Sequence, residues 1–402
     1  MSRLELPPLS VYVHLPWCVR KCPYCDFNSY ALEGDVPEKR YVTALLTDLE
    51  IQAPPVTDRK VQSIFFGGGT PSLFSADAIG RIIAGLRARL AVTPDAEITL
   101  EANPGTVERG RFGEYRSAGV NRISLGGQSF NSHHLESLGR IHSSDDTRVA
   151  AAELQAAGIE NFNIDLMYGL PGQTLAESLA DVEAAIALEP AHLSHYQLTL
   201  EPGTVFFHRS PCLPDDDATW EMQLGCQELL AREGFQQYEV SAYARQGQTC
   251  AHNLNYWQFG DYLGLGAGAH GKLTDLSTGV WRTERTPKPR QYLESLERTA
   301  ALPSRRLVPA EDLPFEYMLN ALRLVEGLVG LKFEQRTGLS LEEIREAIES
   351  GIERGLLQSN RPGGWRATSL GRRFLNDVIA MFLPRSPHRS APKLAAQPAN
   401  LL

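Results

Sequence analysis

The chain has 402 residues, of which 43% are hydrophobic and 22% charged, and its formal net charge is −9 at pH 7. This composition is typical of a globular protein of two or three domains. The negative charge argues against a nucleic-acid partner, because phosphate binding requires clustered lysine and arginine. The sequence has neither an apolar run long enough for a transmembrane helix nor the apolar core of a signal peptide near its start. We therefore expect a cytoplasmic protein.

Short β-prone runs alternate with amphipathic helical patterns through residues 1–235. Apolar residues from Ala78 to Leu90 recur at the helical period, and Ser75 and Thr174 have the spacing of helix N-caps. Repeated strand–helix–strand units predict a parallel sheet with right-handed crossovers. Because six units are fewer than the eight of a closed TIM barrel, the α/β pattern predicts an incomplete TIM-like (β/α)6 barrel. The predicted strands are 10–14, 61–66, 97–101, 121–125, 161–167 and 193–200.

The composition changes after residue 282. We assign residues 1–282 to the barrel, and the proline- and charge-rich segment 283–308 is predicted to be a linker. In residues 309–383, the apolar stripe from Leu341 to Ile352 predicts a helix, two β-prone runs around a turn predict a hairpin, and a last helix follows. This pattern indicates a smaller, mostly helical, winged-helix-like domain. Residues 384–402 contain four prolines and are predicted to be a disordered tail.

Three of the six cysteines, Cys18, Cys22 and Cys25, form a C-x3-C-x2-C motif directly after the first predicted strand. Three thiolates can bind three irons of a [4Fe–4S] cluster and leave the fourth iron open to an amine and a carboxylate, such as S-adenosylmethionine offers. A zinc site completed by His14 or Asp26 is the alternative, although zinc cysteines usually come in C-x2-C pairs. The remaining cysteines share no ligand spacing and are expected to be buried free thiols: Cys212, Cys226 and Cys250.

Polar or small residues stand at or near the ends of the predicted strands. The glycines of 67–69 permit a close approach to bare backbone, although a tight strand–helix turn would also explain them. Glu101 ends the third strand, where a carboxylate can accept hydrogen bonds from ribose hydroxyls or cap a helix. Asp165 interrupts an apolar strand and therefore requires a partner, for which Arg140 is the structural candidate.

An H-N-x-x-Y-W segment spans 252–257 and precedes the glycine-rich run 264–271. A neutral imidazole such as that of His252 can bind haem iron, and aromatic faces can pack against a porphyrin. A histidine among aromatic side chains is also commonly a structural residue. The residues alone leave both interpretations open.

The cysteine triplet resembles the signature of the radical-SAM superfamily. Its flanks, Y-V-H-L-P-W-C at 12–18 and C-D-F-N-S at 25–29, resemble the oxygen-independent coproporphyrinogen III oxidase family, and most of all its haem-chaperone branch. The resemblance extends over residues 9–383 and implies a [4Fe–4S] cluster on the triplet and haem on His252. It also implies that S-adenosylmethionine, in one or two copies, is bound by Tyr12, Tyr24, Gly68, Gly69, Thr70, Glu101, Gln128, Arg140 and Asp165.

Two departures separate this sequence from the oxidases it resembles. Those proteins have a further cysteine two positions after the third, where this chain has Phe27, and a longer segment before the cluster. The resemblance therefore implies a chaperone that binds haem and delivers it to haem-dependent proteins such as respiratory enzymes. The alternatives are an enzyme that decarboxylates coproporphyrinogen III to protoporphyrinogen IX by radical chemistry, and a zinc-stabilised interaction module without cofactor chemistry.

Overall fold

The computed structural model describes residues 4–105 and 110–384. A 12-stranded sheet forms the centre of the first part of the chain, and a separate two-stranded ladder lies around the cysteine loop. The strands, in chain order, are β1 (Leu9–Leu15), β2 (Trp17–Cys18), β3 (Tyr30–Ala31), β4 (Lys60–Gly68), β5 (Ala91–Ala102), β6 (Arg122–Gln128), β7 (Phe162–Tyr168), β8 (His192–Gln197), β9 (Gln236–Glu239), β10 (Ala242–Ala244), β11 (Asp261–Leu265), β12 (His270–Asp275), β13 (Gly279–Glu284) and β14 (Ser304–Leu307).

The helices of this part pack around the sheet, and several begin at the predicted caps. Ser75 accepts a hydrogen bond from the Ala78 amide, and Thr174 forms a capping box with Glu177, as the sequence predicts. The helices are α1 (Glu38–Gln52), α2 (Ala76–Arg89), α3 (Phe112–Ser117), α4 (Ser132–Ser137), α5 (Ser144–Ala156), α6 (Leu175–Ile186), α7 (Val205–His208), α8 (Asp216–Arg232), α9 (Ala251–Trp257) and α10 (Pro289–Thr299).

The six strands β1, β4, β5, β6, β7 and β8 pair in parallel in that order. Each overlaps one predicted strand, so the predicted α/β barrel of six parallel units is confirmed. Beyond β8 the sheet continues through the antiparallel strands β10 and β9. On the other side, β11 pairs in parallel with β1 and is followed by antiparallel β12, β13 and β14. The prediction did not include these antiparallel extensions.

The predicted linker at 283–308 is wrong, because this segment is folded onto the barrel. It contains α10 and β14, and β14 pairs with β13. Tyr292 and Leu293 of α10 are buried in the main core, and the Tyr292 hydroxyl donates a 2.8 Å hydrogen bond to buried Asp48. Pro289 occupies the first position of α10, where the absent N–H costs nothing. The proline therefore begins an element where the sequence pattern indicated a break.

The C-terminal region forms a second apolar core with a three-stranded antiparallel sheet. The predicted helix, hairpin and helix are all present, although the last helix is divided into two. Ile344 and Ile348 of the predicted stripe are buried, whereas Ile352 is 42% exposed. The predicted tail lies outside the described residues except for Pro384. The elements are α11 (Leu313–Ala321), β15 (Leu328–Val329), α12 (Gly330–Thr337), α13 (Glu342–Glu353), β16 (Leu357–Arg361), β17 (Gly364–Ala367), α14 (Ser369–Arg373) and α15 (Leu375–Ala380).

The C-terminal region packs directly against the barrel. Phe259, which follows α9, stacks edge to face on Tyr317 of α11 with ring centroids 5.5 Å apart. Arg323 donates to the buried carboxylate of Glu239 at 3.1 Å. These contacts hold the C-terminal region against the barrel.

Among the described helices, none is long and apolar enough to cross a membrane.

Candidate functional site

The mouth of the barrel and the C-terminal region enclose one large cavity of about 2260 Å³. A pocket for one small molecule usually measures about 300–1,000 Å³, so this cavity has room for more than one ligand. Of the predicted site residues, only Tyr12 and His252 are absent from its wall. Those that line it are Cys18, Cys22, Tyr24, Cys25, Gly68, Gly69, Thr70, Glu101, Gln128, Arg140 and Asp165.

The loop that carries the cysteines is attached to the end of β4 by backbone hydrogen bonds. The Gly69 amide donates to the Leu15 carbonyl at 2.9 Å, and the Thr70 amide donates to the Trp17 carbonyl at 2.7 Å. A Cβ on Gly69 would lie 2.5 Å from the carbonyl oxygen of Trp17. Glycine is therefore required here for a close approach between two backbone segments.

His14 fills the space behind Gly68 and connects β1 to the cysteine loop. A Cβ on Gly68, whose φ is +115°, would lie 2.5 Å from the His14 ring. Burial lowers the pKa of His14 to about 4, so the ring is neutral at pH 7. Its Nε2 donates to the Asn28 carbonyl at 2.9 Å, which leaves Nδ1 to accept from the Tyr12 hydroxyl at 3.0 Å. Both ring nitrogens are thus engaged, which disfavours His14 as a zinc ligand, and Tyr12 supports the loop from below the cavity.

The three thiols line the same wall and are partly buried. Burial raises the pKa of Cys18 to about 11 and also raises that of Cys25, so both are protonated when no metal is bound. In the part of the chain that the structure describes, no three His, Cys, Asp or Glu side chains are arranged around a position for one metal ion. Zinc requires such convergence, whereas a cluster binds each thiolate through a different iron. Three thiols on one loop can each bind a different iron of such a cluster.

Glu101 and Asp165 bring two carboxyl groups to the mouth of the barrel. Glu101 Oε2 accepts from the Gly68 amide at 3.1 Å. Burial, together with the nearby Asp165, raises the pKa of Glu101 to about 8. Asp165 accepts from Asn163 Nδ2 at 2.6 Å, and burial raises its pKa as well.

The expected hydrogen bond between Arg140 and Asp165 is wrong. The guanidinium of Arg140 donates instead to Asn103 Oδ1 at 2.5 Å and to the Gly126 carbonyl at 2.8 Å. Its Nη1 lies 3.7 Å from Cys22 Sγ. Arg140 therefore lies beside the loop that carries the cysteines.

Sequence reasoning missed two side chains that hold the predicted ones in place. Asn103 donates to Thr70 Oγ1 at 2.9 Å and so connects Thr70 with Arg140. The Tyr196 hydroxyl donates to Gln128 Oε1 at 2.7 Å. Asn103 could have been identified, because it follows Glu101 by two residues at a strand end. Tyr196 gave no comparable signal.

His252 is enclosed in the barrel and does not reach the cavity. Its side chain is 1% exposed, its ring stacks on Phe65 at 4.9 Å, and Nδ1 is hydrogen bonded to Ser63 Oγ at 3.0 Å. Burial lowers its pKa to about 3, and Nε2 has no hydrogen-bond partner. Trp257 of the same motif does line the cavity, with the Arg323 guanidinium 4.3 Å above its ring.

The remaining cysteines differ in their exposure. Cys226 and Cys250 are buried, as expected, and Cys250 donates to Glu97 Oε1 at 3.3 Å. The expectation of burial is wrong for Cys212, which is exposed because its segment, 209–214, crosses the surface between α7 and α8.

The comparisons with known proteins agree with this architecture. Residues 12–185 match the radical SAM superfamily, and residues 308–374 match the HemN C-terminal domain. Coproporphyrinogen III oxidase (HemN) of Escherichia coli, a radical SAM enzyme, has the same fold, with a TM-score of 0.80 and 23% identity. That likeness covers 95% of this chain and 91% of the oxidase. The chain is thus a member of the radical SAM superfamily with a HemN-type C-terminal domain.

Sequence relatives define the family more narrowly. The heme chaperone HemW of Escherichia coli is 50% identical over 380 residues, which cover 94% of this chain and 99% of that protein. The heme chaperone HemW of Haemophilus influenzae is 48% identical over 383 residues, with the same coverage. The chain belongs to the HemW heme chaperone family.

The raised pKa of Glu101 predicts a pH dependence of stability. Because the folded-state value is about 8 and the ordinary value about 4.3, the folded protein holds a proton that the unfolded chain releases between these pH values. The free energy of unfolding should therefore fall as the pH rises through this range, by at most about 1.4 kcal/mol per pH unit. We expect Glu101→Gln to flatten this decline in urea unfolding of the metal-free protein. Glu136→Gln, at an exposed carboxyl, should leave the slope unchanged, and equal slopes for Glu101→Gln and wild type would contradict the prediction.

Proposed function

We propose that this protein binds haem in the cavity between the barrel and the C-terminal region and delivers it to haem-dependent proteins such as respiratory enzymes. The observation that carries the proposal is a sequence identity of 50% to a heme chaperone over 94% of this chain. The cavity supports it, because its volume exceeds the needs of one small ligand and its wall combines cationic, aromatic and thiol side chains.

We assign a [4Fe–4S] cluster to Cys18, Cys22 and Cys25. When bound, the cluster supplies one iron without a protein thiolate, on which S-adenosylmethionine can be held. Free thiols of this kind persist in a reducing compartment, which supports a cytoplasmic location. In this proposal Gly68, Gly69 and Thr70 accommodate the methionine part of S-adenosylmethionine. Glu101 accepts a hydrogen bond from its ribose.

Further polar residues extend this site across the mouth of the barrel. Gln128, Arg140 and Asp165 line the wall beyond Glu101, within reach of the same molecule or of a second one. Tyr24 lies against Phe206 near the cysteines, with ring centroids 6.4 Å apart. Tyr12 is the one predicted S-adenosylmethionine contact to which we assign a different role. Its hydroxyl is hydrogen bonded to His14, which in turn is hydrogen bonded to the cysteine loop.

The competing function is oxidative decarboxylation of coproporphyrinogen III. The oxidase that shares the fold is only 23% identical, and that likeness concerns the fold alone. Phe27, which lines the cavity, stands where the oxidases carry their further cysteine. We therefore favour the chaperone over the oxidase.

The cluster assignment predicts a stoichiometry. After anaerobic reconstitution, we expect about four irons and about four acid-labile sulfides per chain. Replacing Cys18, Cys22 or Cys25 with Ala should abolish the visible chromophore, because each thiolate holds a different iron. Cys212→Ala, at an exposed cysteine outside the cavity, is the matched control and should retain the cluster. One zinc per chain without sulfide would establish the zinc module instead.

The proposed function is tested by offering the two tetrapyrroles separately to the reconstituted protein. We expect haem to bind at about one per chain, detected by titration of the Soret band. Coproporphyrinogen III should remain unconverted with S-adenosylmethionine and a strong reductant under anaerobic conditions. Catalytic formation of protoporphyrinogen IX would replace the chaperone by the oxidase.

The role of His252 in haem binding requires a movement of α9. Its Nε2 has no partner but is enclosed, so haem iron can reach it only if α9 separates from β4. We expect His252→Ala to shift or weaken the Soret band while the iron content of the cluster is retained. His134→Ala, at another buried histidine on α4, is the control. An unchanged Soret band in His252→Ala would remove His252 as the ligand and leave the proposed function in place.

A further inference from the structure

The C-terminal wall of the cavity presents two adjacent arginines. Arg372 and Arg373 end α14, both side chains are exposed, and both line the cavity. Phe374, the next residue, is 46% exposed, which is unusual for a phenylalanine. On the facing helix α8, Trp220 lines the same cavity.

Arg373 lies between two aromatic rings. Its guanidinium carbon is 5.1 Å from the ring centroid of Trp220 and 5.8 Å from that of Phe374. An arginine stacked on aromatic faces is held in orientation through its flat surface, while its N–H groups at the edge stay free to donate. The aromatic contacts thus orient the guanidinium without using its hydrogen-bonding capacity.

The two arginines differ from two others that line the cavity, Arg306 and Arg323. Arg306 and Arg323 each lie within 4.0 Å of a glutamate, namely Glu316 and Glu239. In the described ranges, neither Arg372 nor Arg373 forms such an ion pair. The chain as a whole is acidic, with a net charge of −9, so carboxylates are plentiful. Two neighbouring unpaired guanidinium groups on a cavity wall are therefore available to an anionic ligand.

Their surroundings define the chemistry of that ligand. Guanidinium groups bind carboxylates in a planar, two-point geometry, and aromatic side chains pack against the apolar edge of a flat ring. We infer that Arg372 and Arg373 bind the two propionate carboxylates of haem and that Trp220 and Phe374 contact the edge of its macrocycle. This inference rests on the proposed function and specifies where in the cavity haem is anchored. It assigns the anchor to the C-terminal region, whereas the cysteines belong to the barrel.

The test compares haem with its dimethyl ester, in which both carboxylates are masked. We titrate each compound into reconstituted full-length wild type, into Arg372→Gln/Arg373→Gln and into Arg354→Gln, an exposed arginine of the same region outside the cavity. We expect the double variant to bind haem at least about tenfold more weakly, since it loses the charge-assisted hydrogen bonds to both carboxylates. Its affinity for the ester should change by less than about twofold, and Arg354→Gln should match the wild type with both compounds.

Each other outcome has a defined meaning. Equal loss with haem and with the ester would show a structural role for the arginines and overturn the inference, as would an unchanged affinity for haem. A wild type that binds neither compound would overturn the proposed function itself. Because Arg373 also connects α14 with α8, the single variant Arg372→Gln preserves that contact in case the double variant does not fold. It should still lose about threefold in affinity for haem and none for the ester.

Discussion

The position of the three cysteines depends on how closely their loop approaches the end of β4. Any side chain at Gly68 or Gly69 would collide with the His14 ring or the Trp17 carbonyl at 2.5 Å. This contact allows the Thr70 amide to bond the loop and the Gly68 amide to hold the Glu101 carboxyl at the same time. The thiols and the carboxyl are thus placed relative to each other by backbone atoms, which side-chain motion cannot displace. A side chain at either glycine would therefore separate the cysteine loop from the end of β4 and from Glu101 without removing any cysteine.

The interior of the barrel below this contact is unusually polar. Parallel barrels are normally filled by branched aliphatic side chains. Here Arg122 lies inside the barrel and is only 2% exposed, and its Nε has no hydrogen-bond partner among the described residues. Its positive charge interacts electrostatically with Asp165, Glu97 and Cys250. A buried polar or charged group destabilises a fold unless hydrogen bonds compensate, and for Asp165 the network around Asn163 supplies them. The same burial raises the pKa of Glu101 and of Asp165. The interior of the barrel therefore favours the protonated form of both carboxyl groups at its mouth.

Local sequence patterns were sufficient to predict the elements that depend on residues close together in the chain. The six parallel strands and the caps at Ser75 and Thr174 could be predicted because strand spacing and capping act over a few residues. The segment 283–308 could not, because its prolines flank α10 rather than interrupt it, and its burial depends on Asp48 of α1. Asp165 was matched with Arg140 on charge alone, although a neighbouring asparagine was nearer in the fold. The burial of 283–308 depends on contacts between residues far apart in sequence, for which a single sequence offers no periodicity. The asparagine that binds Asp165, in contrast, is Asn163, only two residues away.

The H-N-x-x-Y-W segment shows that the residues of one motif can face different sides of a helix, so that only some of them line the cavity. At 3.6 residues per turn, residues five positions apart on a helix point about 140° away from each other. His252 therefore faces the barrel interior while Trp257 faces the cavity and carries the Arg323 guanidinium on its ring. Arg323 is in turn paired with Glu239 of the barrel, so α9 is connected to the C-terminal region through this stack. A movement of α9 that exposed His252 would disturb the Trp257–Arg323 contact, and haem binding at His252 would then be coupled to the position of the C-terminal wall.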